Sequence, residues 1–465
     1  MLNLVVLIGF AVAMLGIGWL ARSRVSDVED FVVAGRRLGL PLATSTVLAT
    51  WFGAGTLLVA ADEVREHGLR AAALDPIGSG LCLILAGVLL AGPLWRRKLT
   101  TLSDFYRDAF GPRAETASAV LMVPGYLGWI AAQFSALGAL LVLVAGLDPT
   151  VALLAAAAVG IGYTLLGGMW AVTLTDAVQV VLMIVGLVVL AGVVLLQVGG
   201  GDAWLGLGEI WANTPEEHRI WIPAGAAGVA WTSALLAGAL GNLPGQDLAQ
   251  RVFAARSARV AIWACVGAGV LYLLLGGIPV LLALGADSVA PDLGEGSVLA
   301  VLASATLHPA VALVFTLTVA SAVLSTIDSA ILAPATVIAR NGAARFLPET
   351  VGMHRLAILG VGVASLIIAA LGEDAYALLE ASYEVTMVSL LVPLLGGLYW
   401  PRGERACLAA MAVGTGLWAV HLVQGFSGEP WEGFFGSGWP MGLCCTVLAG
   451  VVYVGFGAAN GGGEA

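Results

Sequence analysis

Charge is what this sequence has least of. Only 11% of its 465 residues are Asp, Glu, Lys or Arg, whereas 60% are hydrophobic. Soluble domains carry about 25% charged residues, so this chain lacks the polar surface to cover itself in water. Cysteine is scarce too. Cys82, Cys265, Cys407, Cys444 and Cys445 all fall inside apolar runs without ligand spacing, which excludes a disulfide framework and a zinc site. His67, His218, His308, His354 and His421 are scattered without partners, so a metal centre built on histidine is not expected. The sequence contains no Gly-rich phosphate loop, no HExxH, no nucleophile elbow and no pair of catalytic groups at one depth. Neither end shows a soluble domain of the kind an ATP-driven pump needs. The net charge of −10 is confined to loops and a few helix positions and does not point to nucleic acid.

What the chain does have is apolar runs, repeated from end to end, each long enough to cross a hydrocarbon core of about 30 Å. The first, Leu2 to Ala21, has no basic start and no cleavage site before Arg22, and reads as a retained span rather than a signal peptide. Gly, Pro and charge clusters divide the chain into thirteen candidate spans: 2–22, 38–63, 74–95, 115–146, 148–167, 171–198, 221–250, 258–285, 299–336, 352–371, 377–400, 406–424 and 438–458. The 299–336 segment is long enough to hold more than one element. With thirteen spans, 17 of the 20 basic residues fall in loops on one side, leaving Arg65, Arg70 and Arg219 on the other. Basic loops stay cytoplasmic. The expected topology is a multi-pass protein of the cell's inner (plasma) membrane, with the N-terminus outside and the C-terminus in the cytoplasm.

Two spans are interrupted. The second reads Ala49-Thr50-Trp51-Phe52-Gly53-Ala54-Gly55-Thr56, and the seventh Gly238-Ala239-Leu240-Gly241-Asn242-Leu243-Pro244-Gly245-Gln246-Asp247. Irregular backbone at membrane depth frees carbonyls and amides that lipid cannot satisfy, so it persists only beside protein or a wet cavity. A simple Gly or Pro kink is the alternative for either one alone. Their pairing argues for more, because the breaks open two successive five-span sets, 2–6 and 7–11. An odd number of spans inverts the second set, and matched breaks in an inverted repeat mark a transporter's central site.

At these residues the chain resembles the sodium:solute symporter family. The resemblance rests on Val33-Ala34-Gly35-Arg36-Arg37-Leu38-Gly39, on the break from Ala49 to Gly55, and on Gly167-Gly168-Met169-Trp170 running on to Thr175-Asp176-Ala177-Val178-Gln179. Gln250-Arg251 and Ser325-Thr326 match as well. Within the family the choline-transporter branch is most similar, through Ala49-Thr50-Trp51, Pro76-Ile77-Gly78, Leu83-Ile84-Leu85, Phe134-Ser135-Ala136-Leu137-Gly138 and Asp328-Ser329. The implied fold is an all-α membrane protein of about 13 transmembrane helices. It is a five-plus-five inverted repeat of the leucine-transporter type, with broken first and sixth core helices. The expected layout is a first helix and loop at 1–37, repeats at 38–198 and 199–400, and accessory helices at 401–465.

The resemblance also implies a sodium ion as coupling ion. Its ligands would be the backbone carbonyls of Ala49, Phe52 and Ala322 and the hydroxyls of Ser325 and Thr326, neutral oxygens suited to a hard cation. Taken alone, Ser325 and Thr326 read first as ordinary helix hydroxyls bonding back to a carbonyl. Asp176 and Asp328 are assigned to sodium binding or release, because ionisable groups inside a span are usually functional. The alternatives are a helix cap for Asp176 and a structural hydrogen bond for Asp328. For the solute, Trp51 and Trp129 match cage tryptophans of the choline branch and suit an organic cation through cation–π attraction. The branch's further cage aromatics become Ser79 and Gly245 here, which opens the cage. Ordinary packing or interfacial anchoring is the other reading of each tryptophan. Gln133, Asn242, Gln246 and Asp247 are polar candidates for the same cavity, with Asp247 alternatively a helix cap. Asp75-Pro76 reads as an ordinary cap pair. Glu380 and Glu384, one turn apart, sit at an outer vestibule.

The expected function is sodium-coupled symport of a small organic solute by alternating access, with a quaternary amine or zwitterion such as choline first. A proline-like amino acid or another polar metabolite is the alternative. A non-transporting membrane sensor, a passive channel and a membrane enzyme are the rivals from other classes. Expected partners are the solute, sodium and the lipid bilayer, with the chain a monomer or homodimer.

Overall fold

A computed structural model of the chain describes residues 2–290, 297–372, 384–426 and 441–459. Regular structure among the described residues is helical, apart from one isolated bridge between Leu38 and Ala255. Helix is what an apolar segment must adopt in lipid, since it satisfies every backbone group internally. We number the main helices α1 (Leu2–Ala21), α2 (Leu40–Trp51), α3 (Gly55–His67), α4 (Leu69–Arg96), α5 (Pro112–Ala145) and α6 (Pro149–Val198). There follow α7 (Ala226–Gly241), α8 (Gln246–Ala254), α9 (Ala258–Val289), α10 (Pro309–Val337) and α11 (Val351–Ala370). The last are α12 (Glu384–Tyr399), α13 (Glu404–Phe426) and α14 (Met441–Ala459).

Local chemistry sets the boundaries. Asp148 caps α6 by accepting from the Thr150 and Val151 amides ahead of Pro149, and the Ser257 hydroxyl caps α9 at Val260. The spans expected at 148–167 and 171–198 follow one another without a loop, and we number them together as α6, two helical halves that meet at a non-helical kink at Gly168 (φ 52°, ψ −137°). Only glycine fits there: a Cβ would stand 2.3 Å from the Phe31 carbonyl. The long 299–336 segment does hold two elements, a short helix Val298–Thr306 and then α10. The connection after α6 carries a further helix, Ala203–Asn213, whose Trp204 and Trp211 are exposed. Of the acidic pair expected at a vestibule, Glu380 lies outside the described residues and Glu384 accepts from Trp418 Nε1 at 3.0 Å.

Two helix pairs are long and apolar enough to cross a membrane only when taken together, each bent at a short break. They are α2 with α3 (59°) and α7 with α8 (42°). Around these breaks α10 forms the centre of the molecule, buried continuously from Thr318 to Val337 and packed on α6, α5 and α2. In contrast α1 leans on α6 and leaves Val5, Ile8, Val12, Trp19 and Leu20 exposed, as a lipid-facing helix does.

Candidate functional site

The first break begins where Phe52 leaves helical geometry (φ −84°, ψ 73°). The Gly53 amide then donates to the Trp51 carbonyl at 3.0 Å instead of to Ala49, four residues back. The Ala49 carbonyl accepts from α10 instead, at 2.9 Å from the Ser325 hydroxyl and 3.5 Å from that of Thr326. Both hydroxyls also donate to the Ala322 carbonyl, at 2.9 and 3.1 Å. Thus Ala49, Ala322, Ser325 and Thr326 converge as a cluster of neutral oxygens. Phe52 is the hinge beside them, its ring edge-on to Tyr272 at 5.3 Å. Gly53 permits this approach, because a Cβ there would lie 2.4 Å from Thr326 Oγ1.

Below this cluster lie two buried carboxylates. Asp176, in the half of α6 after Gly168, accepts from Thr46 Oγ1 at 2.5 Å, and Asp328 accepts from Ser329 Oγ at 3.0 Å. Among the described residues, Asp176 Oδ1 and Asp328 Oδ2 take no hydrogen bond. Asp176 therefore does not cap a helix. The Arg251 guanidinium acts on both carboxylates electrostatically, with no ion pair to either among the described residues. It donates to the carbonyls of Thr46 (3.1 Å) and Asp247 (2.9 Å) and to the Ser329 hydroxyl. The loop position expected of Arg251 from charge counting is thus corrected: it is buried on α8 and ties that half-helix to α2 and α10.

The aromatic candidates Trp51 and Trp129 are linked through Asp247 and Tyr126. Trp51 Nε1 donates to Asp247 Oδ2 at 3.1 Å, joining the two broken helices directly. The Tyr126 hydroxyl donates to the other Asp247 oxygen and accepts from the Asp247 amide at 3.0 Å. Tyr126 lies 5.9 Å from Trp129, centroid to centroid. Gln133, one turn further along α5, accepts from the Ala54 amide at 3.2 Å. Asp247 therefore does not act as a cap: its carboxylate faces Trp51 and Tyr126. Asn242 sits in the second break, where its carbonyl accepts from the Gly245 amide. Gln246 turns elsewhere, its Oε1 accepting from Leu102 N at 2.6 Å.

The cap reading of Asp75 also gives way. Asp75 leaves helical geometry (φ −143°, ψ 128°) and its side chain collects hydroxyls from three positions. Sequence reasoning passed over Tyr126 and Tyr272, and named Thr56 and Arg251 only as parts of motifs, without a role in the site. Tyr126 had a signal, since it precedes Trp129 by three residues and so shares its helix face. Tyr272 and Thr56 had none, because their roles depend on partners far away in the chain. The space beside the first break is small, about 30 Å³, lined by Ala54, Gly55, Leu58 and Gln133 among others. A larger cavity of about 590 Å³ lies away from both breaks, between α5 and the end of α10.

Two broken helices that meet through side chains, with an oxygen cluster at one break, define a membrane transporter of the inverted-repeat type. The profile of the sodium:solute symporter family matches residues 31–414. The chain belongs to that family, and its class is that of a sodium-coupled symporter, not of an enzyme. It is 28% identical over 469 residues to a high-affinity choline transporter of Caenorhabditis elegans, covering 91% of this chain and 78% of that one. It spans 65–66% of the length of several other choline-transporter relatives. A high-affinity proline transporter of Bacillus subtilis is 26% identical, covering 91% of this chain and 93% of the relative. A Na+-coupled sialic acid symporter, solved substrate-bound and outward-open, superposes with a TM-score of 0.81 at 17% identity, covering 99% of this chain and 98% of that one. That likeness establishes the five-plus-five fold with broken first and sixth core helices.

Proposed function

We propose that the chain couples inward sodium flow to uptake of a small organic cation, bound at the junction of the two breaks. The observation that carries this reading is the Trp51–Asp247–Tyr126 cluster beside Trp129. A buried carboxylate held by the in-plane donors of Trp51 and Tyr126 provides a counter-charge, while the ring faces of the tryptophans supply cation–π attraction for an ammonium group. Sodium at Ala49, Ala322, Ser325 and Thr326 replaces the hydrogen bonds that now join those atoms, and Phe52 completes the turn. Because Ala49 is two residues from Trp51, ordering the break for sodium also orders the solute site. Asp176 and Asp328 draw the ion onward once the inner side opens. The repeats are read as 38–198 and 199–400, and the protein as resident in the plasma membrane with its N-terminus outside.

Choline-type transport is supported by the curated relatives and by Trp51 and Trp129. The proline-transporter relative, aligned along almost its whole length, supports a zwitterion as the second reading. The test is thermal stability of the purified protein with choline, smaller amines, proline and a neutral sugar, each in sodium or potassium. A ligand of the folded state raises stability by mass action. Stabilisation by choline or another amine in sodium alone supports the reading. Stabilisation by proline alone transfers the site to the zwitterion, and indifference to sodium removes the cation cluster from the mechanism.

A further inference from the structure

We propose a second monovalent-cation site at the first break, formed by the Asp75 carboxylate, the hydroxyls of Thr56 and Tyr272, and the carbonyl of Trp51. Asp75 is 6% exposed and Thr56 and Tyr272 are fully buried. The carboxylate accepts from Thr56 Oγ1 and Ser79 Oγ, both at 3.2 Å, and from the Tyr272 hydroxyl at 3.0 and 2.9 Å. Tyr272 also shares a short hydrogen bond with Thr56 and reaches the Trp51 carbonyl at 3.3 Å. These oxygens come from three separate helices, α3, α4 and α9, and from the last residue of α2. They meet on a different face of the break from Ser325 and Thr326. Ala49 and Trp51 are two residues apart, roughly 200° around a helix with 3.6 residues per turn.

The cluster needs a positive charge that the protein does not supply. Among the described residues, no ion pair involves Asp75. An uncompensated carboxylate at membrane depth is expensive. Hydroxyl, carbonyl and carboxylate oxygens are hard ligands, and a single carboxylate among neutral donors matches a single positive charge. Hydroxyls that now donate to Asp75 can rotate and turn their lone pairs toward an ion. The small space at this break is lined by Ala54, Gly55, Leu58 and Gln133 but not by Asp75, Thr56 or Tyr272, so a bare ion fits the cluster better than an organic ammonium. The site joins α4 and α9 to the break only when the α2–α3 bend holds its present geometry. Two ions on two faces of one hinge then make closure depend on both. The inference rests on sodium coupling, not on the identity of the solute.

The experiment is a sodium titration of the full-length purified protein without solute, at constant ionic strength with potassium as balance, read by tryptophan fluorescence and by thermal stability. Wild type is expected to titrate cooperatively. Asp75→Asn is expected to leave one hyperbolic component. Thr56→Val keeps shape and charge but removes a ligand, and is expected to shift one component to about tenfold higher sodium. If Asp75→Asn does not fold, Thr56→Val and Tyr272→Phe carry the test, and unchanged midpoints in both overturn the proposal. A wild-type titration in Asp75→Asn overturns it as well. So does a variant whose sodium response is intact while its pH dependence is lost, since Asp75 then holds a proton. Ser325→Ala run in parallel keeps the two sites apart. If it has no effect while Asp75→Asn removes a component, the Ser325 site is wrong and this one stands.

Discussion

Trp51 Nε1 donates to Asp247 Oδ2 at 3.1 Å across 196 residues of chain, so the two broken helices are joined by a side-chain hydrogen bond at the place where each loses its backbone bonds. Solute recognition and helix closure consequently share atoms. Asp247→Asn keeps a group of the same shape and removes the charge. It is expected to weaken binding of an organic cation by about ten- to a hundredfold, with the sodium response of the solute-free protein retained. Titration of choline against thermal stability in sodium checks this. Equal choline affinity in the variant removes Asp247 as counter-ion.

At the Ala49 cluster, Ser325→Ala and Thr326→Val together remove both side-chain oxygens. Each lost charge-assisted contact is worth about 1.5–3 kcal/mol, so the sodium concentration supporting uptake is expected to rise at least tenfold. The maximal rate at saturating sodium should change far less. Sodium-dependent uptake into proteoliposomes separates the two quantities.

Arg251 is expected to be the least replaceable basic residue among those described. Arg251→Met withdraws a cation that acts on Asp176 and Asp328 and leaves three buried acceptors without their donor, at about 1–3 kcal/mol each. The expected outcome is loss of monodisperse protein on size-exclusion chromatography. Adding Asp176→Asn should restore part of the yield, because it withdraws one of the charges on which Arg251 acts. A fully stable single variant would show that the three groups are not electrostatically coupled.

A separate network ties together the segments that precede α5, follow α10 and precede α11. Arg340 bridges Asp104 (2.7 Å) and Glu349 (3.0 Å), and Glu349 also pairs with His354 at 2.9 Å. The His354 hydrogen bond, with Arg340 assisting against burial, holds the Glu349 carboxyl below its ordinary value of 4.5. A depressed carboxyl stabilises the folded state above that ordinary value and loses its contribution as pH falls through the folded one. Wild type should therefore be more stable than Glu349→Gln at neutral pH, and the gap should close progressively below 4.5. Melting curves at stepped pH read this directly; a gap that widens on acidification contradicts the assigned sign.

Much of this was legible without coordinates. The breaks at Phe52 and at residues 242–245 could be placed because Gly, Pro and Asn interrupt otherwise continuous apolar runs. Trp51, Trp129, Ser325 and Thr326 could be singled out because their motifs are local. Charge counting misread Arg251, because a lone arginine next to an apolar run looks the same whether it ends a helix in a loop or is buried against carboxylates. Asp75 was read as a cap, and Asp247 as a cavity group or a cap, for a similar reason: Asp beside Pro or Gly is a local capping signal, and nothing local reveals a distant hydroxyl or indole.

The sequence by itself determined that the chain lives in a bilayer, that it is helical, where it is broken and which family it belongs to. Composition, hydrophobic length and short motifs are properties of neighbouring residues. Only the tertiary structure decided which buried charges have partners. Trp51 meets Asp247, Asp75 meets Tyr272, and Arg251 meets Thr46 and Ser329. Each of these encounters joins segments far apart in the chain, and in a membrane interior the energy of a charge depends on what it touches, not on what stands beside it in the sequence.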